Sequence, residues 1–212
     1  MQTGLNDHSN IAEQLLRIFE AFADEFAHRG IPTHLSAITR EGKYLKGKRL
    51  GQHPERFIEE YLVWPVLSAL GYEYWAQPYG YPKWDQSRPD FSVENFHDEP
   101  ACMVVGEVKT PNKKKKKKTD IEEYLKRDLG EPTVGIATDG VEWQMFARPK
   151  KSPDPKPIEY VDLRQVFEQL PRRHEEDESY STYSVREQMD GVAGLRREAV
   201  QSRAAMVFFE LE

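Results

Sequence analysis

Cys102-Met-Val-Val-Gly-Glu-Val-Lys109 is the stretch on which the reading of this chain turns. Its apolar first half is expected of a central β-strand. Its second half places Glu107 and Lys109 two positions apart, and the two-residue period of a strand puts them on one face while Val108 points into apolar packing. Upstream, Asp90 follows Pro89 and opens a second β-prone segment, Asp90 to Val93, joined to Ala101–Lys109 by the polar turn Asn95 to Pro100. If the two segments pair as a hairpin, Asp90 approaches Glu107, and two carboxylates meet one ammonium at a strand edge. Any one of these residues alone reads as part of a surface ion pair. Together, behind a Pro-Asp start and an apolar lead-in, they read as a metal site. Two hard oxygen ligands with room for water and phosphate oxygens suit Mg²⁺, with Mn²⁺ as a substitute. A lysine beside them can position or deprotonate an attacking water, or steady charge developing on phosphorus.

Outward from this centre the pattern is mixed. Ile11, Leu15, Ile18, Phe19, Phe22 and Phe26 recur at steps of three and four, which predicts an amphipathic helix from Asn10 to Arg29, capped by Ser9 or Asn10 and stopped by Gly30-Ile-Pro32. Thr39 to His53 reads as a connecting loop. Pro54 to Leu70 reads as a second helix, kinked by Pro65 and ended by Gly71. Glu55 and Glu59, four apart, share a face of it, with Glu60 a weaker third acid. Tyr72 to Gln77 is β-prone, and the aromatic group Tyr72, Tyr74, Trp75, Tyr79, Tyr81 and Trp84 reads first as packing. Thr119 to Leu129 is helical in composition. Pro132 to Thr138, Asp139-Gly140 and Val141 to Arg148 spell strand, turn, strand. Lys150 to Pro157 reads as a linker, and Val161 to Leu170 and Tyr183 to Arg203 as further helices. Helix, three strands, helix, two strands is an α/β layer. Three segments are expected: 1–52, an N-terminal helix and loop; 53–150, the core; and 151–212, a Pro-rich linker with helices packed on the core or a partner.

The Pro89-Asp90 and Glu107-Val108-Lys109 pieces resemble the PD-(D/E)xK nuclease superfamily. Pro54-Glu-Arg-Phe-Ile-Glu-Glu-Tyr-Leu-Val-Trp-Pro-Val-Leu-Ser-Ala-Leu-Gly71 is similar to the first helix of the N-terminal nuclease domain of type I restriction enzyme R subunits, and Thr138-Asp-Gly-Val-Glu-Trp143 to the strand-turn-strand that follows. The resemblance spans residues 53 to 148. It implies an αβββαβ restriction-endonuclease-like core with a central mixed sheet and accessory helices at both ends, Mg²⁺ dependence, and hydrolysis of DNA phosphodiester bonds. Asp90 and Glu107 would bind metal, Lys109 would act on the water, and Glu55 or Glu59 would assist. The helix after the catalytic strand often carries Gln-x-x-x-Tyr in such proteins. Here Asp120 and Tyr124 keep the spacing without the glutamine, and no role is carried to them.

Charge fits this reading only locally. With 30 basic and 36 acidic side chains the net charge is −6, but Lys113, Lys114, Lys115, Lys116, Lys117 and Lys118 form a basic run just past Lys109. Such a run is commonly a solvated loop. Beside a cleavage centre it would contact the DNA backbone, so DNA is the expected partner, with a homodimer or separate restriction subunits as assembly. The runner-up is a non-catalytic DNA-binding or assembly module on the same fold. Gly42-Lys-Tyr-Leu-Lys-Gly-Lys-Arg49 nearly spells a phosphate loop, but Arg49 stands where a hydroxyl is needed. A single cysteine, Cys102, excludes an internal disulfide. With no signal-peptide pattern and no apolar run near the ~20 residues of a membrane helix, a cytoplasmic, membrane-free protein is expected.

Overall fold

The computed structural model describes residues 3–31, 35–78, 88–94, 96, 102–111, 114–126, 131–150, 152, 154–170 and 189–209. Helix α1 (Thr3–His28) buries Leu15, Phe19, Phe22 and Phe26, the stripe its spacing predicts. It starts several residues before Ser9, so neither Ser9 nor Asn10 caps it. Gly30, at φ +63°, ends it as expected. The segment read as a loop, Thr39 to His53, instead takes in the end of one short helix, α2 (Leu35–Glu41), and the whole of another, α3 (Gly47–Leu50). Buried Leu50, and Ile38 just before the segment, supply apolar contacts that hold these helices in place.

The second helix is built in three pieces: α4 (Pro54–Ile58), a π-helical turn (Glu59–Val63) and α5 (Trp64–Ala69). Pro65 is the reason. It has no N–H to continue the α ladder, and the chain takes a wider turn just before it, closed by the Trp64 N–H donating to the Glu59 carbonyl. Gly71 ends α5 at φ +86°.

Six strands follow: β1 (Tyr74–Ala76), β2 (Phe91–Val93), β3 (Met103–Val108), β4 (Thr133–Thr138), β5 (Glu142–Arg148) and β6 (Lys156–Asp162). They lie in chain order in one sheet, antiparallel except for β3 and β4. That parallel pair needs a crossover, and helix α6 (Lys114–Lys126) provides it. The helix begins within the lysine run rather than at Thr119. Two sequence readings change at the sixth strand. The end of the expected linker, Lys156 and Pro157, instead opens a strand, Lys156–Asp162, that pairs with β5, and the helix expected from Val161 shrinks to α7 (Arg164–Gln169). Ile158, Tyr160 and Val161 are β-prone, and the open edge of β5 gives the segment a partner. A 3₁₀ turn (Asp190–Leu195) and helix α8 (Arg197–Phe209) close the described chain. The charged stretch Arg172 to Ser179 and the start of the last expected helix lie outside the described residues.

Each face of the sheet is covered. On one, a large apolar cluster runs from Leu15 of α1 through Phe57, Trp64, Phe91 and Trp143 to Phe208 of α8. On the other, Val105, Ala137 and Phe146 pack against Ile121, Tyr124 and Leu125 of α6. Gly135 lets α6 come close, since a Cβ there would stand 2.7 Å from Leu125 Cδ1. Of the aromatic group, Tyr72 is buried and donates to the Leu195 carbonyl at 2.8 Å, and Tyr74 stacks on Trp64. Trp75 stands 56% exposed, and Tyr79, Tyr81 and Trp84 lie outside the described residues. No helix among the described residues is long and apolar enough to cross a membrane.

Candidate active site

Pairing of β2 with β3 sets Phe91 opposite Gly106 and Ser92 opposite Val105. Gly106 is obligatory there, because any Cβ would overlap the Phe91 ring. The close approach carries Asp90 to the end of β3, where the Asp90 N–H donates to the Gly106 carbonyl at 2.9 Å and the Val108 N–H donates to Asp90 Oδ2 at 2.7 Å. Val108 itself is buried in the large core, as alternation requires. Glu107 and Lys109 emerge on the opposite face, the one covered by α6. The Lys109 N–H donates to the Thr138 carbonyl at 3.0 Å, which ties the strand end to the Thr138-Asp-Gly turn. That turn is self-bonded: Asp139 Oδ1 accepts from the Val141 and Glu142 N–H groups at 3.0 and 2.7 Å, and Gly140 sits at φ +80° against Leu62.

The side chains expected to act together do meet. Lys109 Nζ is in contact with Glu107 Oε1, lies 4.0 Å from Asp90 Oδ2, and stands 3.5 Å from Asp120 Oδ2. Glu107 and Lys109 are buried, at 5% and 8% exposure. Glu107 Oε2 is buried with no hydrogen-bond partner among the described residues. The π-helical turn of the second helix adds Glu59, which is also buried and pairs with Arg56 Nη1 at 3.2 Å. Glu55 contributes its charge to the fields at Glu59, Asp90 and Lys109. Glu60 points elsewhere, to Arg56 and Gln52.

These carboxyls share too little solvent and too much negative charge to ionise normally. Burial, then the charge of Asp90, pushes Glu107 up to about 7 against the pull of Lys109. The same two causes raise Glu59 to about 7. Burial also raises Asp90, opposed by the Val108 N–H and by Lys109. Burial works against the Lys109 ammonium, but its contact with Glu107 and the other acids hold its pKa above the ordinary lysine value.

An excess of buried acid over base with an unsatisfied carboxylate oxygen is a place for a cation. Among the described residues no group of three or more His, Cys, Asp or Glu side chains is arranged to hold a metal ion. The hard-oxygen pair Asp90 and Glu107 nevertheless suits Mg²⁺, which binds through one or two carboxylates and keeps waters and phosphate oxygens for the rest. A cavity of about 250 Å³ opens between Thr110 and Pro111, which follow Lys109, and His53 and Pro54, which precede Glu55.

Sequence reading passed over Asp120 and Tyr124, because the glutamine of the familiar pattern is missing. Their four-residue spacing was the available signal. Asp120 reaches Lys109, and the Tyr124 hydroxyl donates to the Arg88 carbonyl at 3.0 Å, steadying the chain that leads into Asp90. Lys113 lies outside the described residues, and Lys114 to Lys118 are described only as backbone of α6.

No protein-family profile matches the chain, and no solved structure matches it. Over 119 residues, 56% of this chain, the sequence is 28% identical to a protein of Methanocaldococcus jannaschii named "Putative type II restriction enzyme and methyltransferase". The chain spans about 10% of that relative's length. Its sequence is thus similar, over part of each chain, to a restriction-system protein.

Proposed function

We propose that this protein is a Mg²⁺-dependent DNA endonuclease of restriction type, built on a PD-(D/E)xK-like core. The observation that carries the reading is the meeting of Asp90, Glu107 and Lys109 at one end of β3, with a buried Glu107 oxygen left for a cation. The partial similarity to a restriction enzyme points the same way. Asp90 and Glu107 supply the hard oxygens that hold the metal. When bound, Mg²⁺ polarises the scissile phosphate and lowers the pKa of its water. Lys109, its charge maintained by the surrounding acids, positions the attacking water and offsets charge on phosphorus. Glu59, with a pKa near neutrality, is suited to take or give a proton there, and Glu55 shapes the field.

DNA is the polyanion expected at this site. Five lysines open α6 just past the candidate centre, and cations in a first helical turn oppose the helix dipole. They therefore weaken the helix locally, a cost that contact with phosphates would offset. Plasmid incubated with the protein and Mg²⁺ tests the reading, beside an Asp90→Ala variant. Metal-dependent nicking is expected from the wild type, reduced about 10²-fold or more in the variant. DNA binding without scission under any divalent cation would instead identify a non-catalytic DNA-binding module.

A further inference from the structure

Lys109 has a conflict of partners under the nuclease reading. Its ammonium is already in contact with Glu107, an acid that the reading gives to the metal, and it lies near Asp90, the other. A divalent cation arriving on those two carboxylates meets a positive charge in a buried setting, where repulsion is poorly screened. The ammonium must turn toward a different anion. Asp120 Oδ2 stands 3.5 Å from Lys109 Nζ. It comes from another element, α6, whose neighbouring Ile121 and Leu125 are fully buried against the sheet and hold its place.

We propose that Asp120 is a positioning residue that receives the Lys109 ammonium when a divalent cation engages Asp90 and Glu107. The exchange breaks the Lys109–Glu107 ion pair and strengthens the Lys109–Asp120 pair. No covalent bond changes. It clears the metal ligands while keeping the amine charged and beside the reacting water. Without Asp120, the incoming cation competes with an ammonium whose remaining ion-pair partners among the described residues are the metal ligands themselves. The inference rests on the nuclease reading and is separable from it by experiment.

Mn²⁺ binding to the DNA-free protein, followed by the loss of its free-ion paramagnetic resonance signal, requires no turnover. Asp120→Asn is expected to weaken Mn²⁺ binding about tenfold, and by less than about threefold when Lys109→Met has already removed the ammonium. Asp120→Ser serves as a second variant, with circular dichroism melts showing that each protein is folded. An equal loss in both backgrounds means that Asp120 acts only as a fixed charge, which overturns the inference. Unchanged affinity in Asp120→Asn overturns it too. Should the wild type and Glu107→Gln bind Mn²⁺ equally or not at all, the nuclease reading falls and takes the inference with it. Binding by the wild type that Glu107→Gln abolishes keeps that reading and leaves the Asp120 cycle to decide.

Discussion

Glu59 and Glu107 are carboxyls with ordinary values of 4.5 held near 7 by the fold. The folded state therefore binds their protons more tightly than the unfolded chain does. For such groups the stabilising contribution is full below about 4.5 and is lost as pH rises through about 7. The metal-free protein is expected to melt at progressively lower temperature from about pH 5 to about pH 8, each kcal/mol lost appearing as about 2–4 °C. Replacing Glu59 by Gln should flatten that slope. Mg²⁺ should restore stability at the alkaline end by mass action. Melts followed by circular dichroism at each pH check this, and a flat profile would mean that the acids do not share one buried field. Residue types and spacing were enough to expect Asp90, Glu107 and Lys109 side by side, which is how the fold places them. Nothing in them shows that Glu59 is the buried helix glutamate, because the π turn before Pro65 changes which residues of that helix face the sheet.

At the scale of elements, the β2–β3 pair is the scaffold of the site, and Gly106 is its tightest point. A methyl group there must displace the Phe91 ring and with it the strand that delivers Asp90. Gly106→Ala is expected to destabilise the fold by about 1–3 kcal/mol in urea unfolding, and to lower cleavage further than that loss explains. Helix α6 bears a separate expectation. Replacing Lys114 to Lys118 by Gln should reduce the slope of log K for DNA against log salt by about one for each phosphate contact removed. Fluorescence anisotropy across a salt series measures it, and an unchanged slope would take the lysines out of the interface. Hairpin partners and the Thr138-Asp-Gly turn were legible because short-range alternation and turn chemistry dictate them. The sixth strand was not, since its place depends on an edge offered by β5.

Across the whole molecule, one apolar cluster links α1 to α8 through the sheet. The last helix is thus part of the core that supports the strand carrying Glu107. It is also fastened at its surface, where Arg203 pairs with Glu159 of β6 and donates to the Gly194 carbonyl at 3.0 Å. Phe208→Ala should cost about 3–5 kcal/mol in urea unfolding, the range for deleting a buried aromatic. A cost under about 1 kcal/mol would mean that α8 does not share the core's cooperativity.

What the sequence determined by itself is local: an amphipathic first helix, a Pro-Asp strand start, the Glu-Val-Lys strand end, and a tight turn after the fourth strand. Periodicity of two or 3.6 and the dihedral limits of Gly and Pro act over a few residues, and so they can be read without coordinates. Which acids share one ammonium was decided by tertiary structure. Asp90, Glu107 and Asp120 come from three elements, and only the packing of α6 across β3 and β4 brings the last to Lys109. The raised carboxyls arise from the same burial, a property of the assembled sheet and helices that no stretch of chain possesses alone.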